Sequence, residues 1–143
     1  MTTPNIPFIL AAFVALGAVS LHVFTMEVWI WPKLKVEGFP ATPLGNARYT
    51  KALYRITWHY FTVSWLLTIA LLLRYAFSES ILYGNLIVLL MIVYWLGIVL
   101  SIFITAALQL NPKTDSYIMT MVKAFQWVLV LGMVGLMYWG TTL

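Results

Sequence analysis

A chain of 143 residues that is 63% hydrophobic and 8% charged has too few polar side chains to cover a soluble surface. Its mean hydropathy of +0.95 points to an integral membrane protein, and the length leaves room for about four spans of about 20 residues each but for no large soluble domain. With no cysteine, disulfides, thiolate metal sites and cysteine nucleophiles are excluded, and the net charge of +4 reads as topology signal rather than as a nucleic-acid surface.

The expected fold is all-α, a four-helix membrane bundle forming a single domain over 1–143. The first span is expected over 6–31, entered at Pro4 and Pro7 and left at Pro32. It is too long, and lacks the basic start, for a cleaved signal peptide. Ala11, Ala12, Ala15, Gly17, Ala18 and Ser20 predict a close-packing seam along it. A loop carrying Gly38, Pro40, Pro43 and Gly45 follows. The second span is expected over 47–77, the third over 81–110 and the fourth over 115–140, with Thr114 or Asp115 as the N-cap of the last. Gly97 in the third span, and Gly132, Gly135 and Gly140 in the fourth, predict further smooth contact faces.

Lys33, Lys35, Arg48, Lys51, Arg55, Lys113 and Lys123 fall on one side of this scheme and Arg74 on the other. The positive side faces the cytoplasm by the positive-inside rule, so both termini are expected outside it. Trp29, Trp31, Tyr49, Tyr54, Trp58 and Tyr60 read as one interfacial aromatic belt, and Tyr75, Tyr83, Tyr138 and Trp139 as the other.

The polar residues gather between Leu21 and His59. An ionisable group inside a membrane is a functional candidate by default, because burying it costs several kcal/mol unless it is paired. Glu27 and Arg55 read as an ion pair locking the hairpin, with His59 hydrogen-bonded to it, and Lys123 as snorkelling to the surface. At about 100° per residue Glu27 stands about 140° round the helix from His22, so one partner does not reach both. His22 shares its face with Thr25, Met26 and Trp29, while Arg55, His59 and Thr62 share one face of the second span.

The competing reading makes His22 and His59 axial ligands of haem b, or magnesium ligands of a chlorophyll-type pigment. Two imidazoles serve one iron only at matched depth, and counting from the helix ends sets His22 about 7 Å deeper than His59. A metal site of His22, His59 and Glu27 has suitable ligand types but is weakened by the angle just given. A third reading is ion or proton transport along Glu27, His59 and Lys123. No phosphate loop, nucleophile elbow or zinc-protease helix is present, so no catalytic residue is assigned.

At Leu21-His22 and Thr57-Trp58-His59 the chain resembles an uncharacterised group of small four-span bacterial membrane proteins, over roughly its first half. That resemblance implies a bacterial inner membrane and four helices, and carries no activity or functional residue with it. By elimination, the expected function is a non-catalytic accessory subunit of a larger respiratory or photosynthetic membrane complex, with lipid and other membrane subunits as partners.

Overall fold

The computed structural model describes residues 3–43, 45–78, 84–109 and 126–143. It is all-helical, and its described residues hold four α-helices: α1 (Ile6–Phe24), α2 (Ala47–Ala76), α3 (Gly84–Gln109) and α4 (Gln126–Thr141). Three helical stretches, Ile6–Lys33, Ala47–Ala76 and Gly84–Thr105, are long and apolar enough to cross a membrane. The described part of the fourth, α4, is apolar but only 16 residues long. Its expected beginning, with Thr114, Asp115 and Lys123, lies outside the described residues, as do Lys113 and Tyr83.

By contact density the chain divides into two compact units, one of residues 1–18 with 68–143 and one of residues 19–67. In the first, Asn5 ties three helix ends together. Its side-chain Oδ1 accepts the Phe8 N–H at 3.2 Å, which caps α1. Its backbone N–H donates to the Ala76 carbonyl at 2.9 Å and its Nδ2 to the Gly140 carbonyl at 2.8 Å, so carbonyls at the ends of α2 and α4 gain donors there. Gly140 lies so close to the Phe8 ring that a Cβ would overlap it.

On α3 and α4 the large buried side chains recur at helical spacing: Val88, Ile92, Trp95 and Val99 on α3, and Val130, Met133, Val134 and Met137 on α4. These two helices pack on each other, with Phe103 and Trp127 rings 5.4 Å apart. Trp95 is buried whole, and its indole N–H donates to the Thr68 hydroxyl of α2 at 3.1 Å. A buried indole keeps a partner because an unpaired N–H is costly away from water.

The small-residue expectations divide. Ala11, Ala12, Ala15 and Ala18 are buried, whereas Gly17 and Ser20 are exposed. Gly97, Gly132 and Gly135 have open space where a Cβ would stand, so of the glycines expected to make contact faces only Gly140 does so.

In the second unit the first span does not stay α-helical. Thr25–Ile30 is a π-helical turn, closed by the Trp31 N–H donating to the Met26 carbonyl five residues back, and Trp31–Lys33 tightens into a 3₁₀ turn. Pro32 accounts for the break: it has no N–H for the Val28 carbonyl, and its ring crowds that carbonyl in a regular helix. The loop beyond contains a second 3₁₀ turn, Val36–Gly38, and a tight turn in which Thr42 and Gly45 exchange backbone hydrogen bonds at 2.8 and 3.0 Å. Asn46 then caps α2, its Oδ1 accepting the Tyr49 N–H at 3.1 Å.

Candidate functional site

The site lies wholly within the unit of residues 19–67, where the contacts between its two helical arms run in antiparallel order. His22 meets Trp58, Glu27 meets Arg55 and His59, Trp31 meets Lys51 and Arg55, and Leu34 meets Lys51. From His22 to Leu34 on the first arm the partners run back overall from Trp58 to Lys51 on α2, with His59 reaching to Glu27 from one residue beyond Trp58.

The π turn decides which residues take part. In a regular helix Trp29 follows His22 and Met26 on one face; here His22 is 7% and Met26 2% exposed, but Trp29 is 57% exposed. A π turn bonds each residue to the fifth before it, so the residue stacked on Met26 is Trp31. That underwinding also brings Glu27 nearer the His22 side than 100° per residue places it. The two side chains nonetheless keep separate partners, His22 with Trp58 and Glu27 with Arg55 and His59, as the angular argument expected.

Glu27 is the anionic centre. Arg55 Nη2 donates to its Oε2 at 2.6 Å and Arg55 Nε to its Oε1 at 3.3 Å, a two-point guanidinium–carboxylate contact. His59 Nε2 stands 3.2 Å from the same Oε1. One carboxylate thus holds two side chains a helical turn apart on α2. Arg55 also lies over the face of Trp31, its guanidinium carbon 5.2 Å from the ring centroid, and Lys51 Nζ lies 4.8 Å from it. Both are within cation–π range. Lys51 donates at 2.6 Å to the Leu34 carbonyl, one of the carbonyls left over where the first span unwinds.

His22 sits apart from this clasp. Its ring stacks on Trp58 with centroids 4.2 Å apart and planes 6° from parallel. Its Nε2 lies 3.4 Å from the Trp58 carbonyl, a long hydrogen bond in the tautomer that protonates Nε2. Trp58 directly precedes His59, so the His22 contact on α2 falls one residue from His59. The two imidazoles still engage different groups, Trp58 and Glu27. No group of three or more His, Cys, Asp or Glu residues capable of holding a metal occurs among the described residues.

Trp58, Trp31 and Thr62 are the residues of this region that sequence reasoning left out of the site. Both tryptophans read as interfacial belt, yet one stacks on a buried histidine and the other lies beneath two cations. The available signal was adjacency: Trp58 precedes the histidine of the clasp, and Trp31 precedes the proline that ends the span. Comparison with family models, with curated proteins and with solved structures finds no match to this chain.

Proposed function

We propose that this protein is a non-catalytic accessory subunit of a larger membrane assembly, respiratory or photosynthetic, in a bacterial inner membrane. The observation that carries the reading is the clasp: Glu27, Arg55, His59 and Lys51 are engaged with one another, with Trp31 or with a backbone carbonyl, and so lock a hairpin. Locking two spans is a structural task, since a charged pair in hydrocarbon fixes register more than it adds stability. The many large apolar side chains exposed along α1, α2 and α3, among them Phe13, Leu67, Leu90 and Val93, suit lipid and neighbouring subunits. The bacterial inner membrane rests on the resemblance at Leu21-His22 and Thr57-Trp58-His59.

A tetrapyrrole on His22 would have to displace the Trp58 ring or take Nε2 from the Trp58 carbonyl, which is why the structural reading is preferred. Mild solubilisation of native membranes holding a tagged chain tests the choice. Larger membrane subunits at fixed stoichiometry are expected. A monodisperse isolated protein that conducts ions in vesicles overturns the reading in favour of transport. A Soret band abolished by both His22→Ala and His59→Ala overturns it in favour of pigment binding.

A further inference from the structure

Among the described residues, two buried side-chain polar atoms in the hairpin have no hydrogen-bond partner, Trp58 Nε1 and Thr62 Oγ1. They lie one helical turn apart on α2, about 6 Å along its axis. The large majority of buried side-chain polar atoms in proteins are paired, and in hydrocarbon, without water to help, an unpaired one costs still more. Two together call for an occupant.

The other hydroxyls on this part of α2 show why Thr62 is left over. Thr57 donates to the Leu53 carbonyl at 3.0 Å and Ser64 to the Tyr60 carbonyl at 3.2 Å, each to the residue four before it. For Thr62 the corresponding carbonyl is that of Trp58, towards which His22 Nε2 is directed. His22 and Thr62 therefore compete for one acceptor, and the hydroxyl proton of Thr62 remains to be given elsewhere. An indole N–H can only donate. The missing partner is thus an acceptor, and beside a donor-only indole it is no metal cation. Arg55 and Lys51, nearer the loop, are where an anion would go. Trp58 and Thr62 are each half-buried as residues, so part of each side chain lies at the surface of the hairpin although the two polar atoms are covered.

We propose that Trp58 and Thr62 form a binding site for a neutral carbonyl oxygen of a membrane-soluble molecule, walled on one side by the stacked His22 ring. Within a bilayer two molecules supply that group: a quinone head group and the glycerol ester of a phospholipid. The site lies about one turn inward of Arg55, the depth at which either is present if Arg55 marks the interface.

The test uses the full chain, labelled with ¹⁵N-tryptophan, in nanodiscs of ether-linked phospholipid, which has no ester carbonyl. The chain has seven tryptophans, and the Trp58 indole resonance is the one missing in Trp58→Phe. Titration with a short-chain ubiquinone is expected to move this resonance downfield and saturate, which assigns the carbonyl to a quinone. A shift on changing from ether- to ester-linked lipid without quinone assigns it to lipid. In either case Thr62→Val should weaken binding about threefold to tenfold, as expected for one lost hydrogen bond, and Thr62→Ser should restore it. Dispersion of the remaining indole resonances reports whether each variant is folded. A Trp58 resonance unmoved in both arms, or moved equally in Thr62→Val, overturns the proposal, as does a persistent water cross-peak at the Trp58 N–H. Because the isolated chain is used, the result stands whether or not a partner assembly exists.

Discussion

Glu27 is the residue on which the hairpin's charges converge, and its environment decides what removing it costs. A half-exposed ion pair in water contributes about 0–1 kcal/mol, whereas stranding one partner of a buried pair costs about 3–5 kcal/mol. The Glu27 and Arg55 side chains are 26% and 46% exposed in the protein alone, so the surrounding medium, water or lipid, sets which figure applies. If lipid surrounds them, Glu27→Gln should destabilise by about 3 kcal/mol in nanodiscs, because Arg55 loses its counter-charge and His59 its carboxylate partner. Glu27→Gln combined with Arg55→Met should recover most of that loss, since no stranded guanidinium remains. Denaturation midpoints of the two single variants and the double variant check this; equal losses in all three would remove the clasp from the account. At the same scale, Trp95→Phe should cost about 1–2 kcal/mol by leaving the buried Thr68 hydroxyl without its indole donor, read from the same midpoints.

Among the helices, glycine shows how far spacing alone misleads. Gly135→Ala on α4 adds a methyl group into open space and should be neutral, or stabilising by up to about 1 kcal/mol through helix propensity. Gly140→Ala in the same helix drives a Cβ into the Phe8 ring and to 3.0 Å from Asn5 Oδ1, and should cost about 1–3 kcal/mol. Thermal unfolding separates the pair, and Phe8→Leu should relieve only the second. The sequence reading could not rank these glycines, because contact depends on which helix passes on that side. It did find three long apolar helices within a few residues of their ends, because a run of apolar residues bounded by proline and asparagine is a local signal. The pairing of Glu27 with Arg55 was also legible, as opposite charges at similar depth in an apolar hairpin have few alternatives. The π turn was not, since i→i+5 bonding leaves no periodic mark over six residues. Its consequences were therefore hidden too: Trp31 turned under the cations and Trp29 turned out.

Over the whole molecule the ordering force is the distribution of positive charge. Lys33, Lys35, Arg48, Lys51 and Arg55 fall around a single loop, and at the other end of α2 stands Arg74. Carrying five cations through hydrocarbon costs far more than carrying one, so the loop of 34–46 should remain in the cytoplasm. Asn5 bonds both to Ala76 at the far end of α2 and to Gly140 near the end of α4, which places the beginning of α1 beside the end of α4. Both termini should then share the opposite side of the membrane. The absence of native cysteine makes the test direct. Single cysteines at the exposed positions Thr3, Ala41 and Thr142 should react differently with a membrane-impermeant maleimide applied to intact spheroplasts. Thr3→Cys and Thr142→Cys should label at once, and Ala41→Cys only after the membrane is opened. Labelling of Ala41→Cys alone in intact spheroplasts would invert the orientation, and the basic loop would then need a partner outside the cytoplasm to hold it there. Labelling of Thr3→Cys and Thr142→Cys from opposite sides would contradict the bonds that Asn5 makes.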